Sequence, residues 1–179
     1  MQLLRMREAF FSNAAVSGGP ITLDLLPGER AALTLGSPLE ATVVALMAAG
    51  IAKASTGSVL IGDYDPRVQS VHCKRIAGFV PHEPLLLDDA AFPHYITYRA
   101  ALWNIDAGSA HAHAARLRER LEGMHEAFAY PLIGALICLP QLLVIDRPQA
   151  VYARQIREVV EDRALFSTHA QASAAQAFA

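Results

Sequence analysis

The clearest hydrophobic run in the chain is Leu142-Leu143-Val144-Ile145, which stops abruptly at Asp146-Arg147-Pro148. An unbroken apolar run of this length, with prolines on both sides, predicts a strand buried on both faces, as in a parallel sheet. Its terminal carboxylate then lies where open α/β sheets place their ligands. Upstream, the period of the pattern changes several times. Residues 1–20 read as an edge strand or irregular lead-in that ends at Gly18-Gly19-Pro20. Residues 21–25 alternate apolar and polar, which suits a half-exposed antiparallel strand. Pro27-Gly28-Glu29-Arg30 turns into a short buried strand over 31–35. Gly36-Ser37-Pro38-Leu39-Glu40 breaks that strand, and 41–51 reads as a helix apolar on most sides, closing at Gly50.

Beyond it, 58–61 and 76–80 are short strands separated by a polar helical turn over 67–75. Residues 95–128 are mostly helical, interrupted at Asp106-Ala107-Gly108-Ser109. Residues 132–138 form an apolar helix and 151–161 an amphipathic one. The last strand covers 164–168 and delivers His169. An Ala/Gln-rich tail over 171–179 is left open between helix and frayed end. Strands alternating with helices imply the α/β class, with a mostly parallel, doubly wound sheet. A small antiparallel N-terminal part and a reduced helical insertion are additions to that plan. The simplest organisation of 179 residues is one domain over 1–179. Its α/β core comprises 1–82 and 129–179, and its helical insertion is 83–128.

Composition excludes several functions. The hydrophobic share is 53%, yet no apolar run reaches the ~18 residues of a membrane span. Arg5, Arg7 and Glu8 sit where a secretory signal needs its apolar region, so a cytoplasmic chain is expected. A net charge of −2 offers no electrostatic footprint for nucleic acid. Cys73 and Cys138 have no metal-ligand spacing and need no disulfide in a reducing compartment. The only lysines are Lys53 and Lys74, so the basic charge is mostly arginine.

Five segments, taken in order, resemble the nucleotide-binding domain of ATP-binding-cassette (ABC) transporters, in the P-loop NTPase superfamily. Leu26-Pro27-Gly28-Glu29-Arg30-Ala31-Ala32-Leu33 looks like the turn and strand before that family's phosphate loop. Gly57 through Asp65 is similar to its hairpin after the first helix. Lys74-Arg75-Ile76-Ala77-Gly78-Phe79-Val80-Pro81-His82-Glu83 resembles the strand into its glutamine loop. Pro140 through Pro148 resembles the Walker B segment, and Phe166-Ser167-Thr168-His169 the switch-histidine strand. The match runs from about Ile21 to His169, most of the chain.

The departures fall on the chemistry. A working phosphate loop, G-x-x-x-x-G-K-[ST], needs glycines for close backbone approach and a lysine to neutralise phosphate. The corresponding stretch is Gly36-Ser37-Pro38-Leu39-Glu40-Ala41-Thr42, where only Gly36 and, with a one-residue deletion, Thr42 match. Pro38 removes an N–H donor, Glu40 brings negative charge, and no lysine lies between Gly36 and Ala52. Asp146 matches the family's Walker B aspartate, but the adjoining glutamate is replaced by Arg147, which cannot act as a base. The loop glutamine becomes His82. The Leu-Ser-Gly-Gly-Gln signature falls at Leu121-Glu122-Gly123-Met124-His125 and keeps one leucine and one glycine. The aspartate loop becomes Gln149-Ala150-Val151-Tyr152. An aromatic to stack on adenine is Phe10 or Phe11.

Each residue also has a plain structural role. Asp146 is expected to pair with Thr42 or cap a backbone N–H rather than hold Mg²⁺. Arg147 is expected to bridge to Glu40 or another acid. His169 is expected to be satisfied by backbone. His111 and His113, two apart on a helix, and the distant His94 and His125 make no metal site. Ser167, His169 and Asp146 suggest a hydrolase triad, but no G-x-S-x-G elbow presents the serine.

The resemblance therefore implies a non-catalytic, pseudo-ATPase member of the ABC class. Its partners would be a membrane permease, a second ABC ATPase subunit, or both, and it would sit at the inner face of the cell membrane through them. The helical region after the glutamine loop receives the permease in this family. By resemblance the contact falls on His82, Phe92, Tyr95, Tyr98 and Trp103, whose aromatic content suits an interface. No catalytic residue, cofactor or metal is expected, with Asp146, Arg147, His169 and His82 vestigial and Gly36 and Thr42 the remnant of a nucleotide site. The alternative is a divergent ATPase that binds ATP and Mg²⁺, active as half of a heterodimer. A third reading is an unrelated α/β protein in which Gly36–Thr42 does not lead from strand to helix.

Overall fold

A computed structural model describes residues 2–171. The tail, Gln171 apart, lies outside the described residues. Two sheets organise the chain. The smaller contains β1 (Leu4–Ser12), β2 (Ser17–Leu25) and β4 (Thr56–Ile61) in the antiparallel order β2-β1-β4. The larger contains β3 (Arg30–Leu35), β5 (Ala77–Val80), β6 (Leu142–Asp146) and β7 (Ala164–Ala170) in the order β3-β7-β6-β5, with every neighbouring pair parallel. The helices are α1 (Pro38–Ala48), α2 (Ser70–Ile76), α3 (Ala91–Leu102), α4 (Ala107–Arg120), α5 (Glu126–Leu136) and α6 (Ala153–Val160), with a single 3₁₀ turn at Ala150–Tyr152.

Three elements depart from the sequence expectation. β1 is the middle of the small sheet, not an edge, because Leu4, Met6, Ala9 and Phe11 are all buried beneath both neighbours. β4 pairs with β1, Leu4 opposite Ile61, so a strand from the middle of the chain completes the antiparallel sheet. Strand 31–35 is a half-exposed edge, since only β7 flanks it.

α1 lies between the two sheets. Val44, Ala45, Met47 and Ala48 are buried there against residues of β1 and β4 on one side and Leu142, Val144 and Phe166 on the other. This explains why its sequence shows no polar face. The opposite face of the parallel sheet presents Leu143, Ile145 and Leu165 to α3, α4, α5 and α6. Burying each such side chain contributes ~1.5–3 kcal/mol, so β6 anchors two cores at once. Adjacent residues of β6 thus serve different cores, as the two-residue period of a strand requires. In register, Asp146 stands opposite Thr168 on the α1 side, whereas Ser167 and His169 share the other face with Leu165.

The helical region is closed by α5, buried from Ala129 to Leu136 despite Pro131 inside it. Gly134 is required here by close approach: a Cβ would stand 2.1 Å from the Tyr95 hydroxyl oxygen. Phe92 stacks on Tyr130 with centroids 4.0 Å apart, and the Arg118 guanidinium lies 5.7 Å from the Tyr130 centroid. The Tyr130 hydroxyl donates to Asp89 at 2.6 Å. That bond, and next the one from Arg118, hold the Asp89 carboxyl below the usual carboxylate range.

Candidate functional site

The carboxyl ends of β3, β6 and β7 and the start of α1 meet at one place, and β3 does lead through Gly36 into α1. The unrelated-fold reading is thereby excluded. Ser37 caps the helix, its hydroxyl accepting from the Glu40 N–H at 3.2 Å, with Pro38 in the first turn. The Glu40 carboxylate reaches back and accepts from the Gly36 N–H at 3.0 Å. This is a variant of the S-x-x-E capping box, in which the glutamate accepts from the N–H of the residue before the cap and not from that of the cap itself. Gly36 permits it, because a Cβ would stand only 3.2 Å from the Glu40 oxygen. The box was legible in Ser37-x-x-Glu40 and was overlooked. At a helix start whose N–H groups attract anions, the chain has placed an anion of its own.

Behind the loop, Asp146 is 1% exposed and fully partnered. It accepts from the Thr42 hydroxyl at 2.6 Å, the Thr168 hydroxyl at 3.1 Å and Arg147 Nε at 3.1 Å. A second guanidinium nitrogen, Nη2, donates to Thr42 Oγ1 at 3.0 Å and reaches the other Asp146 oxygen at 3.4 Å. The pairing of Asp146 with Thr42 is as expected. Arg147 pairs with an acid, as expected; of the two alternatives the partner is not Glu40, which turns to Gly36, but Asp146, with Thr42 beside it.

Two backbone features put the guanidinium there. Arg147 has φ +46°, a left-handed conformation unusual for a residue with a side chain. Its N–H donates to the Thr168 carbonyl at 2.9 Å, and its own carbonyl accepts from His82 Nδ1 at 3.1 Å, which makes that nitrogen the protonated one. His82 therefore belongs to the cluster through the backbone. Thr168, wholly buried, is the member that sequence reasoning missed. Its signal was its place two residues after Phe166 on a buried strand face.

His169 is not in the cluster. Its Nε2 lies 3.1 Å from the Ser167 hydroxyl, a side-chain partner where backbone was expected. The pair faces a cavity of about 410 Å³ on the other side of the sheet, with Arg30, Gln149 and Arg157 among its lining. Asp146 leaves the sheet on the α1 side, so no Ser167–His169–Asp146 triad exists. Beside Arg147 and His82 on the helical side there is a cavity of only about 30 Å³, room for little more than a water molecule.

Of the aromatics expected at a partner contact, Phe92 is a core residue, Tyr95 and Trp103 are partly buried, and Tyr98 is 61% exposed. Phe11 is buried and Phe10 half-exposed. Among the described residues no group of three or more His, Cys, Asp or Glu converges on a metal position. A magnesium–triphosphate complex needs free loop N–H groups, a lysine, and hydroxyl and carboxylate oxygens open to the ion. Here one loop N–H is held by Glu40, Pro38 has none, and a guanidinium already engages Thr42 and Asp146. As arranged, the residues do not fit that complex.

No family model matches the chain. By sequence it is similar to the sulfate/thiosulfate import ATP-binding protein CysA of Xylella fastidiosa (strain Temecula1), 26% identical over 172 residues. That alignment covers 88% of this chain and 49% of the relative. The Xanthomonas campestris pv. campestris protein of the same name is 26% identical over 178 residues, covering 88% and 50%. The chain spans about half the length of these relatives. By structure it is similar to an ATP-binding subunit of an ABC transporter, with TM-score 0.71, 16% identity, and 93% and 79% of the two chains covered. It is also similar to cbiO1 from Clostridium perfringens, part of the ABC transporter complex cbiONQ, with TM-score 0.68, 16% identity, and 94% and 78% covered. The fold is therefore that of an ABC-type ATP-binding domain. Its sequence relatives are sulfate/thiosulfate import ATP-binding proteins.

Proposed function

We propose that this chain is a non-catalytic subunit of the ABC ATP-binding class, one that docks on a membrane permease, a second ATPase subunit, or both, as a structural or regulatory component. The observation that carries the reading is the Glu40 carboxylate on the Gly36 N–H. An internal carboxylate held where a polyphosphate would approach is repulsive to it, and no lysine of the loop offsets that charge. The missing Walker B glutamate points the same way, because Arg147 cannot polarise a water as a base. The relatives, which are import ATP-binding proteins, and the likeness to a protein that is part of an ABC transporter complex support docking as the retained role. Such a subunit sits on the cytoplasmic face of the membrane through its partner. No helix among the described residues is long and apolar enough to cross it.

The competing reading is a divergent ATPase completed by a partner, favoured by the persistence of Thr42 and Asp146 in contact. The two separate on titration of a fluorescent ATP analogue with Mg²⁺, with and without the co-purifying partner. The expected result is no saturable binding by this chain alone. Saturable Mg²⁺-dependent binding, or hydrolysis abolished by Asp146→Ala, overturns the non-catalytic reading.

A further inference from the structure

We infer that the Arg147 guanidinium is the resident cation of the Thr42–Asp146–Thr168 cluster, a tethered positive charge in the place a divalent metal ion would take. The argument begins with the donors. Both carboxylate oxygens of Asp146 and the Thr42 hydroxyl turn toward one centre of positive charge, at 3.1, 3.4 and 3.0 Å from guanidinium nitrogens. Hydroxyl and carboxylate oxygens are the hard donors that Mg²⁺ and Mn²⁺ prefer. Thr168 fixes the rear of the carboxylate at 3.1 Å and completes the oxygen set. The carboxylate is 1% exposed, and the Arg147 side chain above it is only 18% exposed. A second cation cannot enter the cluster while the guanidinium remains, because both need the same oxygen atoms and carry the same sign of charge.

The backbone is built to keep it there. A residue following Asp146 in an extended strand points to the opposite face. At φ +46° Arg147 instead folds back over its predecessor. Thr168 holds its N–H and His82 holds its carbonyl, so the turn is clamped from both sides. A left-handed non-glycine residue persists only where its surroundings over-determine it. The strained turn therefore serves the placement of this charge, and His82 is a positioning residue for it.

The inference deepens the non-catalytic reading but is tested without nucleotide, so that the two can fail separately. ATP hydrolysis by a partner-assisted complex overturns that reading, whereas a metal titration of the isolated chain decides this one. Mn²⁺ is titrated at millimolar concentration against wild type, Arg147→Ala and the double variant Arg147→Ala/Asp146→Asn, following the thermal midpoint. Arg147→Ala is expected to lose several degrees and regain a few of them in a saturable, Mn²⁺-dependent way. Wild type and the double variant are expected not to respond. A response by wild type equal to that of Arg147→Ala, or none by Arg147→Ala beyond the double variant, overturns the inference. Should Arg147→Ala fail to fold, wild type carries the test alone. Its Arg147 Nε–H resonance remains unbroadened by paramagnetic Mn²⁺ if the guanidinium holds the site, and broadens if the ion enters.

Discussion

The two faces of the parallel sheet at its carboxyl edge are made by the same strands and end very differently. On the α1 side, Asp146, Thr168, Thr42 and Arg147 are bonded to one another, and the nearest cavity, beside Arg147, holds only about 30 Å³. On the other side, Ser167 and His169 bond each other and look into a cavity of about 410 Å³. Residues next to one another in sequence belong to opposite regimes, one closed and polar, the other open and loosely filled. The difference teaches that closeness along adjacent strands does not make a shared site. Asp146 and His169 both stand at the carboxyl edge of the sheet, yet their side chains leave on opposite faces.

The contrast can be broken most forcefully at its charged centre. Asp146→Ala strands a guanidinium and two hydroxyls and is expected to cost about 2–3 kcal/mol, a fall of roughly 5–10 °C in Tm. His169→Ala on the open face should stay within about 0.5 kcal/mol. Equal losses in chemical denaturation would erase the distinction between the faces. A finer comparison uses neighbours on one strand. Thr168→Val keeps the shape and removes one donor to a buried carboxylate, for about 1–2 kcal/mol. Ser167→Ala should be nearly neutral by the same measurement.

At the loop, Glu40→Ala removes the reciprocal half of the capping box. It should destabilise by about 0.5–1 kcal/mol in urea unfolding while leaving the Asp146 cluster intact. If Glu40→Ala instead gains affinity for inorganic phosphate in equilibrium dialysis, the carboxylate is confirmed as occupant of the anion position.

The smallest effect lies far from the edge and calibrates the rest. Burial, reinforced by Arg116 and Arg163 and opposed by Glu161, holds the His113 imidazole below its ordinary value. The unfolded chain therefore binds the proton more readily. The stability this contributes is present above about pH 6.5 and is lost as pH falls through the folded value. His113→Gln should flatten that part of the stability profile, measured by thermal unfolding between pH 5 and 8, and leave the acid-side loss carried by Asp89 and Glu161, both held below the usual carboxylate range.

Much of the fold was legible because burial writes itself into periodicity. The run 142–145 announced a strand covered on both faces, and the largely apolar stretch 41–51 announced a helix buried on most sides. Pairing was less legible. Nothing in 56–61 says that it joins β1 rather than the parallel strands, since its partner lies some fifty residues upstream and a short apolar strand fits either sheet. At the site, the contact between Thr42 and Asp146 was foreseeable from the phosphate-loop pattern. The partner of Arg147 was not, because a side chain's reach depends on the backbone turn beneath it.

The sequence by itself determined which residue types stand at the site: no lysine between Gly36 and Ala52, an arginine directly after Asp146, and a proline two residues after Gly36. These are facts of residue identity, and no conformation alters them. Only the tertiary structure decided how these residues meet. A left-handed turn at Arg147, clamped by Thr168 and His82, carries the guanidinium onto Asp146, and the pleat of β7 sends His169 to the far face. Both outcomes rest on dihedral angles and register, which are set by long-range packing and not by local residue type.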